Sequence, residues 1–197
     1  MKNRLSDTGH ATGLGDEGGF APDISHPTDV LETLVVAIKD AGYTPSREGI
    51  AIALDPAASE FYRDGAYHVA DQTLSSSEMV AYYADLVDRF PIWSIEDGLA
   101  EDDWPGWAHL TEQLGSKVQL VGDDIFVTNP AIISDAIGRG VANAALIKVN
   151  QIGSVTETLA AMSACRDAGY AAMVSHRSGE TEDAFIADLA SAPGAAS

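Results

Sequence analysis

Six polar sites recur along this chain of 197 residues, each at or just after the end of a short apolar segment. They are Glu17, Asp55, Glu96, Asp123 with Asp124, Lys148, and His176 with Arg177 and Ser178. Successive sites are 38, 41, 27, 25 and 28 residues apart, and each step is about the length of one strand–helix unit. In a parallel barrel the carboxyl ends of the strands form one ring, so these side chains would converge on a single mouth.

Asp55, Glu96 and Asp123 would bring three carboxylates into that mouth. Unpaired carboxylates at close range repel each other, and some of them become protonated. A hard divalent cation removes the repulsion, and ligation by oxygen alone suits Mg²⁺, with Mn²⁺ as a substitute. The alternative is that each acid caps a helix or pairs with a surface lysine. Three acids at successive strand ends favour the metal site.

Two further polar segments suit the chemistry of an acidic substrate. Lys148, in "LIKVNQ", can act as a general base, since a lysine beside a metal loses affinity for its proton, or it can simply neutralise the carboxylates. The segment "SHRSGETED" (175–183) offers an arginine, a hydroxyl and loop amides that can grip phosphate or carboxylate, or it is only a polar loop before a helix. "GDEGG" (15–19), around Glu17, is a weak motif by itself.

Strands and helices that could position these residues alternate along the chain. The five apolar segments 50–55, 92–97, 118–124, 145–149 and 171–175 are nearly continuous in apolarity, which is typical of parallel strands covered on both faces. With "GLGDEGG" (13–19) as the end of a further strand, the chain would hold six strand–helix units. An eight-unit barrel typically needs about 250 residues. We therefore predict an α/β fold: a partial TIM-type barrel of parallel strands, with about six of eight units.

The helices have clear starting signals. Ser75 with Glu78, and Ser154 with Glu157, have the spacing of a capping box. Asn129 before Pro130 is a cap followed by a first-turn proline. The segment "EDDW" (101–104) is interpreted as the solvated start of another helix.

Composition limits the classes of partner. The chain carries 11 basic and 30 acidic residues, a net charge of −19, which repels nucleic acid and anionic membranes. The single cysteine, Cys165, cannot form an internal disulfide, and no apolar segment approaches the length of a membrane span. A cytoplasmic protein is expected.

Six motifs together resemble, in order and spacing, the second half of enolase, the phosphopyruvate hydratase of glycolysis. The resemblance extends from about residue 11 to residue 190. The motifs are "GDEGGFAP", "DPAASEFY", "SIEDGL", "VGDDIFVTNP", "LIKVNQIGSVTETL" and "VSHRSGETED".

The resemblance implies a role for each site. Asp55, Glu96 and Asp123 match the magnesium ligands of the family, and Asp123 is preferred over Asp124 because it is closer to the strand end. Lys148 matches the base that removes the proton from carbon 2 of 2-phosphoglycerate, and Glu17 matches an acid that helps hydroxide leave carbon 3. His176, Arg177 and Ser178 match the substrate-binding loop, in which Arg177 and Ser178 grip the phosphate. Enolase-superfamily sites are known to combine a lysine or histidine base with one or two Mg²⁺ ions.

The sequence also departs from the family at both ends. Nothing in it matches the N-terminal capping domain, and "SAPGAAS" stands where the family continues into its final barrel segment. We therefore expect residues 1–197 to form a single partial barrel domain of an enolase, inactive alone. The intact family member would be a Mg²⁺-dependent lyase acting on 2-phosphoglycerate and phosphoenolpyruvate. It would be a homodimer in the cytoplasm, with the cell surface as a second location.

Two other functions compete with this interpretation. One is a non-catalytic remnant or binding protein from a truncated enolase gene, favoured by the missing segments. The other is a related dehydratase or racemase, which would share the three carboxylates but usually lacks "SHRSGETED" and "GDEGG".

Overall fold

The structure is a computed structural model that describes residues 1–15 and 18–191. Its strands, in chain order, are β1 (Ile52–Leu54), β2 (Tyr62–Arg63), β3 (Ala66–Val69), β4 (Gln72–Leu74), β5 (Ile92–Glu96), β6 (Gln119–Gly122), β7 (Ala144–Ile147) and β8 (Ala171–Val174). Its helices are α1 (Lys2–Asp7), α2 (Pro27–Asp40), α3 (Ser76–Arg89), α4 (Trp104–Leu114), α5 (Pro130–Arg139), α6 (Val149–Ile152), α7 (Val155–Asp167) and α8 (Phe185–Ser191).

Five strands form one parallel sheet in the order β1-β5-β6-β7-β8. Helices connect each strand to the next, so all five strands point the same way and their carboxyl ends lie along one edge. The predicted α/β architecture with parallel strands is confirmed. Strands β1 and β8 are the two outer strands of this sheet.

The expected first strand at residues 13–19 is not part of the sheet in the described residues. Leu14 and Phe20 instead form an isolated antiparallel bridge with each other. Leu14 is 64% exposed and Phe20 36%, so this loop buries little apolar surface that would hold it against β1. The parallel sheet of the described residues therefore has five strands and not six.

A small antiparallel sheet, β2-β3-β4, was not predicted. Asp64 and Gly65 link β2 to β3 with positive φ angles of 53° and 76°, as a type I′ hairpin turn requires. The Asp-Gly pair was a visible signal for this hairpin. Tyr67 of β3 is fully buried, and it attaches the small sheet to the main core.

The apolar core lies mainly between the parallel sheet and its helices. Ile95, Leu120, Ala145 and Ile147 face this side, where they meet residues such as Trp107. The opposite face of the sheet holds a smaller cluster: Val121, Ala144 and Leu146, with Ala171 and Met173 packed against it. The helix-covered face of the sheet therefore carries most of the apolar core, and the opposite face carries only this small cluster.

The predicted capping residues start three of the helices. Ser75 and Glu78 form a reciprocal capping box at α3, and the Asn129 side chain accepts hydrogen bonds from two backbone amides at the start of α5. The Ser154 side chain accepts from the Glu157 amide at α7. These local signals place the ends of the strand–helix connections, and with them the polar residues that follow each strand.

Asp103, in "EDDW", is more than a solvated helix start. Its Oδ1 accepts a hydrogen bond from the Gly106 amide and so caps α4. Its Oδ2 accepts from the Tyr67 hydroxyl at 2.7 Å and from Ser76 Oγ at 2.6 Å. The carboxylate therefore ties β3 and α3 to α4. No helix within the described part of the chain has both the length and the apolar character needed to cross a membrane.

Candidate metal and acid–base site

Four of the predicted residues lie at the carboxyl edge of the parallel sheet. Asp55 directly follows β1, Glu96 is the last residue of β5, Asp123 follows β6, and Lys148 follows β7 and precedes α6. Adjacent strands are paired in parallel register, so these positions are neighbours along one edge. The fold therefore gives the four side chains a common location.

Lys148 and Asp123 form a direct ion pair. The Nζ atom of Lys148 lies 2.5 Å from Oδ2 of Asp123, and the two side chains are only 17% and 12% exposed. The other oxygen, Oδ1 of Asp123, is buried and has no hydrogen-bond partner among the described residues. A buried carboxylate oxygen without a partner is costly, and a cation is one group that satisfies it.

The carboxylates at this edge influence each other electrostatically. Burial raises the pKa of Glu96 to about 7, and the charges of Asp55, Asp123 and Asp97 add to the rise, while Lys148 opposes it. Asp55 is the most exposed of the three predicted ligands, but loss of part of its hydration still raises its pKa. A hydrogen bond from the Ala57 amide opposes this rise, and the charge of Asp123 adds to it. Such mutual repulsion is the condition that a divalent cation relieves.

The tightest acidic group in the described residues is different from the predicted one. Oxygens of Asp97, Asp123 and Asp124 all lie within 4.8 Å of one another, and the group could hold a metal ion. Asp97 is close for a specific reason: its Oδ1 accepts the Asp123 amide at 2.9 Å and its Oδ2 accepts the Asp124 amide at 3.0 Å. Both of its oxygens are already engaged with the backbone.

A cleft of about 420 Å³ opens beside the ion pair. It is lined by Asp123, Asp124, Lys148, Asn150, Arg177, Ser178, Gly179 and Glu180. The loop after β8 thus brings Arg177 and Ser178 to the same space as Lys148, and the Arg177 amide donates a hydrogen bond to Glu180 Oε2 at 2.7 Å. The lining therefore combines an arginine, a serine and a lysine, residue types that bind anions, with three acids, Asp123, Asp124 and Glu180.

Asp55, Glu96 and His176 do not line this cleft. His176 is exposed, Glu96 stays at the sheet edge, and Asp55, at the same edge, lines a mostly apolar cavity between α2 and α3. Glu17 falls outside the described residues. The roles of all these residues stay predictions.

Sequence reasoning gave no role to four residues that shape this region. Asp97 directly follows Glu96, and the sequence alone does not show which of two adjacent acids at a strand end faces the site. Asn150 and Glu180 lie inside the motifs quoted above, but whether their side chains reach the cleft depends on the geometry of the loops. Thr128 is fully buried and holds the Lys148 backbone, which no periodicity indicates.

These features define a class of protein: an α/β barrel-type domain with acids and a lysine at the carboxyl ends of its parallel strands. Residues 1–196 match the family model described as enolase, C-terminal TIM barrel domain. The chain belongs to the enolase family.

Proposed function

We propose that this chain is the barrel portion of a Mg²⁺-dependent enolase, whose reaction dehydrates 2-phosphoglycerate to phosphoenolpyruvate. The observation that carries the proposal is the Lys148–Asp123 pair, 2.5 Å apart, in a region where burial, together with neighbouring carboxylates, raises the pKa of Glu96 to about 7. Together with family membership, a lysine next to the acids proposed as cation ligands supports a lysine-base mechanism.

Asp55, Glu96 and Asp123 are the proposed ligands for Mg²⁺. The unpartnered Oδ1 of Asp123 and the acidic surroundings of Glu96 fit a hard cation with oxygen ligands. When bound, the ion supplies positive charge that stabilises the extra negative charge formed on the substrate carboxylate. We prefer this set to Asp97 with Asp123 and Asp124, because both Asp97 oxygens accept backbone hydrogen bonds.

Lys148 is the proposed base and Glu17 the proposed acid. In its neutral form the Lys148 amine accepts the proton from carbon 2 of 2-phosphoglycerate. The electron pair released there forms the double bond to carbon 3, and the hydroxyl on carbon 3 leaves as water after protonation by Glu17. The side chains of His176, Arg177 and Ser178 would bind the substrate, with Arg177 and Ser178 holding the phosphate beside the cleft.

We further propose that residues 1–197 form one partial barrel domain with little or no turnover by itself. The outer strands β1 and β8 are each paired on only one side in the sheet of the described residues, and unpaired strand edges favour association. A homodimer is proposed for the intact enzyme. The net charge of −19 argues against nucleic acid as a partner.

Calorimetry with Mg²⁺ and 2-phosphoglycerate, followed by a coupled assay of phosphoenolpyruvate formation, tests the proposal. We expect Mg²⁺ binding that is lost in Asp123→Asn and largely retained in Lys148→Ala. Absence of Mg²⁺ binding by the folded wild-type chain would refute the metal site. Any turnover that the wild-type chain shows must disappear in Lys148→Ala, because the proposed base is then missing.

A non-catalytic binding protein is the second candidate, favoured by the outer sides of β1 and β8, which pair with no other strand of residues 1–15 and 18–191. The same measurements separate the two functions. A folded chain that binds neither Mg²⁺ nor 2-phosphoglycerate would support the non-catalytic function.

A further inference from the structure

Asp97 makes hydrogen bonds to the segments that carry the other acids. Its amide donates to the Val121 carbonyl at 3.0 Å, and its own carbonyl accepts from the Ala58 amide at 2.9 Å. Its carboxylate accepts the amides of Asp123 and Asp124. Through these contacts one residue connects the turn after β1, the end of β5 and the end of β6.

The conformation of Asp97 is costly in two ways. Its φ angle is 41°, in the left-handed region that is uncommon for residues other than glycine. It is only 8% exposed, and in the described part of the chain its carboxylate accepts hydrogen bonds from backbone amides. Strain and a buried charge persist only where the surrounding structure holds them in place, and such features concentrate at functional sites.

We propose that Asp97 is a positioning residue for the cation site: it fixes the spacing of Asp55, Glu96 and Asp123 and does not itself bind the cation. The proposal rests on the proposed function, since it assumes that those three acids hold Mg²⁺. Groups that orient metal ligands through hydrogen bonds commonly change metal affinity by 10- to 100-fold when they are mutated. Asp97 acts here through the backbone of Asp123, the acid that also pairs with Lys148.

The Asp97→Asn variant tests the proposal, because asparagine keeps the size of the side chain and replaces one acceptor oxygen with an NH₂ group. That NH₂ group would face a backbone N–H of Asp123 or Asp124, so one hydrogen bond is lost. We expect Mn²⁺ affinity, measured by electron paramagnetic resonance on the full chain, to fall about 10- to 100-fold. Asp102→Asn, an exposed acid nearby, makes the same change of charge and should leave the affinity within about 2-fold.

Amide hydrogen exchange in the metal-free chain separates positioning from ligation. If Asp97 positions the loop, the Asp123 and Asp124 amides exchange at least several-fold faster in Asp97→Asn before any metal is added. Weaker Mn²⁺ binding with unchanged exchange would make Asp97 a ligand and overturn the proposal. Unchanged affinity in Asp97→Asn would overturn it as well.

The wild-type chain provides the remaining controls. If Asp97→Asn does not fold, amide hydrogen exchange in the folded wild-type chain still tests the positioning role. Rapid exchange at the Asp123 and Asp124 amides would overturn it, and slow exchange would support it. A wild-type chain that is folded but binds no Mn²⁺ refutes the proposed function. If the wild type and Asp97→Asn bind Mn²⁺ with the same affinity, only the proposed role of Asp97 is refuted.

Discussion

The hydroxyl oxygen of Thr128 lies 2.9 Å from the backbone nitrogen of Lys148 and accepts its hydrogen bond. Thr128 Oγ1 also lies 3.1 Å from Gln151 Oε1, to which it donates, so it fixes both ends of the short helix α6. Thr128 is fully buried, and it has a φ angle of 57°, which is a rare conformation for a β-branched residue. The backbone that carries the proposed base is therefore held by a strained and buried neighbour.

Replacing Thr128 with valine removes this hydroxyl while keeping a β-branched shape. We expect a loss of about 1–3 kcal/mol in the free energy of unfolding, because the partly buried Lys148 amide loses its acceptor. Urea unfolding of Thr128→Val measures the loss. Thr128→Ser keeps the hydroxyl and should recover most of the stability; equal losses in both variants would mean that packing of the methyl group is responsible.

Removing the charge of Lys148 should destabilise the metal-free protein. In Lys148→Met, Asp123 loses its cationic partner at 2.5 Å and remains a mostly buried carboxylate near Glu96 and Asp55. The expected loss is about 3 kcal/mol, the lower end of the range for a broken buried pair, since both side chains retain some exposure. Urea unfolding with and without Mg²⁺ measures it.

Mg²⁺ should recover more stability in Lys148→Met than in the wild type, because the ion replaces the missing positive charge. Lys117→Met is a matched control, since it removes a lysine from an exposed pair with Asp88 and should change stability by less than about 1 kcal/mol. Equal effects of the two substitutions would contradict the special position of Lys148.

The metal-free protein should become more stable as the pH falls from 8 toward 5. Burial and the charges of Asp55, Asp123 and Asp97 raise the pKa of Glu96 to about 7 against the opposing charge of Lys148, so the native state binds a proton that the unfolded chain binds only at lower pH. The stabilising contribution is complete below the unfolded pKa of a glutamate, near 4.5, and is lost as the pH rises through about 7.

Thermal unfolding at a series of pH values measures this dependence. Glu96→Gln should make it shallower because glutamine does not titrate, while Asp97, whose pKa is raised by burial to about 6, keeps part of it. Stability that rises with pH between 5 and 8 in the wild type but not in Glu96→Gln would contradict the raised pKa of Glu96. Saturating Mg²⁺ should reverse the slope if Glu96 is a ligand, since the ion binds the ionised carboxylate.

The elements of the parallel sheet were predictable because each strand is a continuous apolar segment and the helices begin at recognisable caps. Asn129 with Pro130 and Ser75 with Glu78 are local signals that need no tertiary information. The loop around Leu14 was assigned wrongly, since a glycine-rich segment at a strand-like spacing can close on itself as easily as it can pair. The Asp64–Gly65 pair, with positive φ at both residues, is a local sequence signal for the hairpin between β2 and β3.

The sequence predicted which residues stand at the strand ends of the candidate site, but not how their side chains are directed. Spacing placed Asp123 and Lys148 on neighbouring strands, and the ion pair between them agrees with that placement. Spacing could not distinguish the directions of Glu96 and Asp97, because consecutive residues at a strand end point to opposite sides unless the backbone turns, and the φ of 41° at Asp97 is such a turn. The role of Thr128 could not be predicted for the same reason, because it depends on a left-handed backbone conformation that sequence patterns do not indicate.

Asp103 should be among the most sensitive positions far from the proposed cation site. Its carboxylate caps α4 through the Gly106 amide and accepts hydrogen bonds from Tyr67 and Ser76. Asp103→Ala removes a helix cap, worth about 1 kcal/mol, and two hydrogen bonds to a charged acceptor, worth about 1.5–3 kcal/mol each. Because such contributions overlap, we expect a total loss of about 3–4 kcal/mol in the free energy of unfolding.

Urea unfolding of Asp103→Ala should be compared with Asp102→Ala, which alters the neighbouring exposed acid and should change stability by less than about 0.5 kcal/mol. Tyr67→Phe separates the contributions, because it removes only one donor to Asp103 together with the acceptor of the Ala100 amide. A loss below about 1 kcal/mol in Asp103→Ala would show that the small antiparallel sheet is attached by the apolar contacts of Tyr67 alone. A loss near the expected value would instead assign that attachment to the carboxylate.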